Sequence, residues 1–247
     1  MDFYFKHPTT IQCSGPTGCG KTWFVRRIIE KKLVQPFPTR IIWVYSEGQA
    51  DYEHMRFIFP QVEFVEGWHE NLHPSISPDK RNLLILDDQM DEAGDSKTLA
   101  KLFTKGSLHR NLTVIYLVQN VFNQSKSKRT VFLNSHYNFV YRNRRDESQI
   151  RTLAYQICPD NARWLLDAFK CATRRPHGHL ILDHHPLTDE DSSLLTNILP
   201  DEHLTYLQKL SSKAPINSVA PRALKRIQSA NDGTRRKKEP DEEEESD

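Results

Sequence analysis

The chain has 247 residues, 37% hydrophobic and 10% aromatic, enough for one large domain or two small ones with a real core. No apolar run approaches the ~20 residues of a membrane helix. The start, Met1 to Lys6, has no signal-peptide h-region. Cys13, Cys19, Cys158 and Cys171 form no C-x-x-C pair, which argues against a zinc knuckle or a disulfide framework. A soluble intracellular chain with reduced thiols is the expectation.

In chain order, the first predicted strand is Ile11–Ser14. Gly15-Pro16-Thr17-Gly18-Cys19-Gly20-Lys21-Thr22 follows it, a complete G-x-x-x-x-G-K-[ST] string. Glycines there let backbone N–H groups crowd onto phosphate oxygens. Lys21 can reach the β- and γ-phosphates, and the Thr22 hydroxyl can ligate Mg²⁺. Residues 21–34 read as an amphipathic helix whose N-terminus faces the phosphates. A glycine turn with a surface lysine is the bland alternative, and Cys19 reads as a small residue that merely fits.

Further strands are predicted at Arg40–Ser46, Asn82–Asp88, Thr113–Gln119 and Asn138–Arg142. Each is a short apolar run of the kind covered on both faces. Val62–Val65 reads as an edge strand and His179–Asp183 as a late one. Helices are predicted at 96–106, 146–157 and 160–171; Asp146 to Gln149 looks like a capping box for the middle one. This alternation implies an α/β fold with a mostly parallel sheet, over a domain of residues 1–211. Residues 212–247 read as a disordered tail with a basic and then an acidic run. Residues 239–247 hold seven acids, so the net charge of +2 conceals +9 on residues 1–238, which suits a polyanionic partner. Arg235 to Lys238 reads either as a nuclear localisation signal or as part of a solubilising tail.

Asn82-Leu83-Leu84-Ile85-Leu86-Asp87-Asp88 is a buried-strand pattern ending in two carboxylates. Asp87 fits the Mg²⁺-holding acid of a P-loop enzyme. Asp88 fits the position of a water-polarising acid; a turn residue is its alternative. Gln119, at a strand tip, can bond a γ-phosphate or the attacking water. Arg110 lies just before that strand, where an arginine of a ring-forming protein can reach a neighbour's nucleotide; Arg142, Arg144 and Arg145 are rivals. His177, His179, His184 and His185 around Asp183 are a weak metal candidate. Trp43, Tyr45, Trp68 and Trp164 read as packing.

Taken together, GPTGCGKT at 15–22, LLILDD at 83–88, the HRN segment at 109–118 and Gln119 resemble the genome-packaging ATPases of the FtsK–HerA superfamily. The branch they look most like is the poxvirus type, also carried by Polinton/Maverick transposons and adintoviruses. The segment from Tyr137 to Asp183 is similar to that branch as well, and the resemblance spans residues 8–186. It implies an additional-strand, RecA-like P-loop fold with the Gln119 strand between those of the phosphate loop and Asp87. It also implies an ATP-hydrolysing ring that drives double-stranded DNA into a capsid, with Mg²⁺ and ATP as cofactors and a capsid or portal-like vertex protein as partner. The place of action would be the host nucleus or a virion assembly site. By position, Lys21 and Thr22 take the phosphate and Mg²⁺ roles, Asp87 the Mg²⁺ role, Asp88 the water-activating role, Gln119 the sensor role and Arg110 the trans-arginine role. Asp88 is one methylene shorter than the superfamily's usual glutamate, and Gln89 is placed to share its task. A P-loop helicase, a nucleotide kinase and a non-hydrolysing DNA- or capsid-binding module remain the alternatives. No N-K-x-D string for reading guanine occurs.

Overall fold

A computed structural model of the chain describes residues 3–46, 50–68, 75–87, 97–121, 126–189 and 192–207. All lie in the unit Met1–Gln208, and the tail assigned from sequence falls outside them. The strands are β1 (Phe5–Lys6), β2 (Thr10–Ser14), β3 (Val34–Gln35), β4 (Arg40–Tyr45), β5 (Val62–Glu66), β6 (Asn82–Asp87), β7 (Leu112–Val118), β8 (Tyr137–Tyr141), β9 (His179–Asp183), β10 (Leu194–Thr196) and β11 (Thr205–Tyr206). The helices are α1 (Lys21–Glu30), α2 (Ala50–Ile58), α3 (Lys97–Lys101), α4 (Ser107–His109), α5 (Lys126–Leu133), α6 (Ser148–Ile157) and α7 (Ala162–Ala172). A π-helical turn at Leu102–Gly106 joins α3 to α4.

Nine strands form one sheet in the order β11-β10-β9-β8-β2-β7-β6-β4-β5. From β8 to β5 all neighbours are parallel; β9, β10 and β11 extend the sheet by antiparallel pairing. This is an α/β P-loop-like fold, and β7 lies between β2 and β6 as the resemblance implies. Alternate residues of the parallel strands supply two cores. Ile41, Trp43, Leu83, Ile85 and Ile115 pack with Phe24, Val25 and Ile28 of α1 and Met55 of α2. Ile42, Val44, Leu84, Leu86 and Val114 face Leu99, Leu102 and Val131 on the other side. Burial on both faces explains why these strands read as unbroken apolar runs.

Several elements differ from expectation. The first helix ends at Glu30 rather than 34, because Lys32 takes a left-handed φ of 50° and Val34–Gln35 pairs with β1. The helix expected at 96–106 is α only to Lys101. The strands after Asn82 and Thr113 stop one residue short of Asp88 and Gln119. Trp43 and Tyr45 are core residues, and Val62–Glu66 is indeed an edge strand. Asp88 and Gln89 lie outside the described residues.

Candidate functional site

The site lies at the C-terminal end of the parallel strands, where ligands of open α/β sheets bind. Register sets it up. Leu117 of β7 pairs with Cys13 of β2 on one side and with Asp87 of β6 on the other, so all three strands end level. Beyond Ser14 the chain turns through the glycine loop, and Gly15 donates its N–H to Val118 O at 3.0 Å. Gly20 then adopts φ 104°, a left-handed conformation that L side chains rarely adopt, and α1 begins at Lys21. The N–H groups of its first turn, which have no acceptor within the helix, therefore face the loop's concavity.

Lys21 arches over the loop, its Nζ donating to Gly15 O at 2.6 Å and Pro16 O at 3.1 Å. Thr22 Oγ1 donates to Asp87 Oδ2 at 3.1 Å. Two residues 65 apart in sequence, both assigned to the metal from sequence, thus face each other directly. A hydroxyl and a carboxylate are hard oxygen donors of the kind Mg²⁺ takes, so these residues fit the ion. Asp87 is buried, with 5% of its surface exposed, so its carboxylate depends on its neighbours for compensation. Tyr52 of α2 supplies part of it, donating its phenolic O–H to the same Oδ2 at 2.9 Å. Neither Tyr52 nor the helix that carries it, Ala50–Ile58, was singled out in the sequence.

Gln119 is exposed at the tip of β7 and shares a cleft with Pro16, Thr17, Gly18 and Cys19. The structure therefore brings Lys21, Thr22, Asp87 and Gln119 to one end of the sheet. Arg110 is elsewhere. It precedes Leu112 at the opposite end of β7, a strand length of about 20 Å from Gln119. Its Nη1 donates to Ile76 O at 3.1 Å. Arg110 cannot serve its own chain's loop, so any catalytic role must be exerted on a neighbour.

The histidines do not assemble. His177 and His179 lie at the loop end of β9, and His184 and His185 follow its far end. Among the described residues no group of three or more metal-binding side chains forms. Instead His177, in a left-handed conformation with φ 59°, pairs Nδ1 with Cys19 O at 3.1 Å. Its ring occupies the space a Cβ on Gly20 would need, 2.9 Å from Nδ1. Sequence gave no sign of this brace, because the two residues are 158 positions apart. His179 packs between Phe24, Phe139 and Tyr141, and burial lowers its pKa to about 4. Burial also raises the Cys19 thiol despite the nearby Lys21 ammonium, and raises Cys13 further.

The cleft beside the loop has a volume of ≈ 730 Å³. Arg142, Arg144 and Arg145 line it from the β8–α6 connection, Arg174 and Arg175 from the α7–β9 connection. The capping box expected at 146–149 does not form: the helix starts at Ser148, and its N-cap Glu147 makes no side-chain cap bond, while Asp146 Oδ1 accepts the Ser148 N–H at 3.0 Å and Gln149 Nε2 donates to Asp146 Oδ2 at 2.7 Å. Gln149 also accepts the Val121 N–H at 3.0 Å, tying α6 to the chain just beyond Gln119.

No described protein family and no curated protein matches the sequence. Solved structures do. The chain is similar to the genome packaging NTPase B204 from Sulfolobus turreted icosahedral virus 2 in complex with ATP-gammaS, at 13% identity and a TM-score of 0.53, covering 82% of this chain and 97% of that one. The same protein in complex with AMPPCP matches at 12% identity and a TM-score of 0.52, again over 82% and 97%. At such identities the likeness establishes a shared fold. Among the described residues no helix is long and apolar enough to cross a membrane.

Proposed function

We propose that the chain is an ATP-hydrolysing translocase of the FtsK–HerA kind that packages viral or transposon double-stranded DNA into capsids, in the manner of the poxvirus–Polinton branch. The contact between Thr22 and Asp87, with the Gln119 strand interposed between theirs, carries this reading. The fold shared with a protein described as a genome packaging NTPase supports it.

In this reading the loop amides and Lys21 hold the triphosphate, while Thr22 and Asp87 hold Mg²⁺. When bound, the ion would neutralise charge on the β- and γ-phosphate oxygens. Lys21 exchanges its two carbonyl contacts for phosphate oxygens at little electrostatic cost, since both are oxygen acceptors. Asp88 polarises the attacking water, with Gln89 near enough in sequence to share the task. Gln119 bonds the γ-phosphate or the water and reports hydrolysis. Copies assemble into a ring in which Arg110 reaches the next copy's nucleotide. A capsid or vertex protein is the docking partner, at an assembly site or in the host nucleus.

The test is ATP turnover by the purified full chain with and without long duplex DNA. Duplex should raise turnover, and rising salt should weaken the effect, because a basic body releases counterions when it binds phosphates. Stimulation by a nucleoside monophosphate and not by DNA would replace the translocase with a nucleotide kinase.

A further inference from the structure

The arginines beside the phosphate loop are more numerous than a bound nucleotide needs. Among the described residues five guanidinium groups and no carboxylate line the cleft. Two have partners: Arg142 pairs with Glu147 at 3.3 Å, and Arg175 bonds Asn197 and Glu202. The guanidinium groups of Arg144, Arg145 and Arg174 have no hydrogen bond or ion pair among the described residues, and all three residues are exposed. The triphosphate of a nucleotide would already face Lys21, the loop amides and the helix terminus. What remains of it, ribose and base, is neutral and gives three free cations nothing to neutralise.

We propose that this arginine rim is the surface on which the protein takes the phosphodiester backbone of duplex DNA. The inference rests on the translocase reading and names the partner-binding part of the same end of the sheet. Charge complementarity is the first argument: the rim is of one sign and exposed, and three of its five guanidinium groups have no ion pair among the described residues. Residue type is the second. The planar guanidinium fork matches phosphate geometry and is weakly hydrated, so Arg serves such a surface better than Lys.

Position is the third argument. Both connections that carry the rim run directly into residues bonded to the hydrolytic side. Gln149, in the first turn of α6 directly after the Arg142–Arg145 connection, accepts the Val121 N–H two residues beyond Gln119. His177, two residues beyond Arg175, holds the loop carbonyl of Cys19. A phosphate backbone drawn onto the rim would thus load the two segments that flank the nucleotide. This gives duplex-stimulated hydrolysis a physical route.

The experiment measures duplex binding by the full chain over a range of salt concentrations, using a fluorescent 30-base-pair DNA, roughly three helical turns. Wild type is compared with Arg144→Ala/Arg174→Ala and with the charge-keeping Arg144→Lys/Arg174→Lys. Both positions are exposed, so neither pair should disturb the core. If the rim holds DNA, the alanine pair lowers the slope of log affinity against log salt by about two, since each lost phosphate contact removes about 0.9. The lysine pair should keep the wild-type slope. An unchanged slope and affinity in the alanine pair would overturn the proposal. So would lost affinity for a non-hydrolysable ATP analogue with DNA binding intact, which would assign the arginines to the nucleotide. A wild-type chain that binds no duplex sinks the translocase reading itself, an outcome distinct from an alanine pair that binds duplex as well as wild type does.

Discussion

The two ends of the parallel strands are both polar, yet they hold their polar groups in different ways. At the C-terminal end, functional side chains bind each other or a loop that awaits other partners. Thr22 and Tyr52 converge on one oxygen of Asp87, and Lys21 rests on two carbonyls of the glycine loop. At the N-terminal end, side chains are consumed by the fold. His7 is clamped between Thr113 Oγ1 and Asn111 Oδ1, each at 2.8 Å. Asn82 Nδ2 donates to Ser77 O at 2.8 Å and Lys80 O at 2.6 Å, closing the turn before β6. The lesson is about direction. Polar residues flanking an apolar strand look alike in sequence, and only the strand's polarity says which flank meets a ligand.

That contrast can be broken by substitution at the C-terminal end. Lys21→Ala should lower ATP turnover by on the order of 10³-fold or more, because charge stabilisation carries phosphoryl transfer. Thermal stability should hardly change, since Lys21 Nζ is bound only within the loop, to two carbonyls and the Cys19 Sγ. In the same assay Asp88→Asn should keep nucleotide affinity while losing turnover. Unchanged turnover in Lys21→Ala would remove the loop from the chemistry altogether.

The opposite pattern is expected at the other end. Asn82 is buried, and its amide serves two carbonyls of the preceding turn. Asn82→Ala should cost about 1–2 kcal/mol by removing the two hydrogen bonds that close the turn. For a domain of this size that is a fall in melting temperature of roughly 2–4 °C per kcal/mol. Turnover per folded molecule should stay at the wild-type value. If Asn82→Ala instead folds normally and turns over slowly, the division between the two ends fails.

The sequence displayed the C-terminal end well and the N-terminal end poorly, for physical reasons. Strands buried on both faces must be apolar at every position, so β4, β6, β7 and β8 stand out within a residue of their true ends. The glycine loop stands out because its backbone geometry tolerates few residues. Strand direction leaves no such mark: His179–Asp183 is predicted to the residue, but its antiparallel pairing with β8 is not. Short elements such as Leu194–Thr196 and Thr205–Tyr206 carry too few residues for any period to show. Contacts between distant residues are silent too. Tyr52 and His177 act on Asp87 and Cys19 through the fold alone.

Arg110 is the exception that sharpens the comparison, since it is assigned to catalysis yet sits at the N-terminal end. If it acts across a subunit boundary, Arg110→Ala subunits should bind ATP and hydrolyse it slowly. Lys21→Ala subunits keep the arginine and lack a working site. Mixing the two inactive variants should restore part of the wild-type turnover, because some Arg110→Ala sites gain a competent neighbour. Proven co-assembly without recovery would return Arg110 to the structural class of Asn82, held by its bond to Ile76 O.

The smallest effect is expected from Tyr52, which belongs to the C-terminal end but only braces a functional group. Its ring stacks on Tyr45 at 4.3 Å between centroids and lies edge-on to Trp43, contacts that phenylalanine keeps. Tyr52→Phe therefore removes one hydroxyl and little else. That hydroxyl donates to Asp87 Oδ2, the oxygen that also takes Thr22. A bond to a charged group contributes about 1.5–3 kcal/mol. Part of that should return through water or a firmer hold by Thr22. The remainder should appear as a looser carboxylate, read as a few-fold higher Mg²⁺ requirement for turnover. Saturating Mg²⁺ should then bring turnover close to wild type, since the Tyr52 hydroxyl is given to the Asp87 carboxylate. A deficit that Mg²⁺ does not relieve would mean that Tyr52 acts in the chemical step. No shift in the Mg²⁺ requirement would mean that the Tyr52 hydroxyl does not orient Asp87.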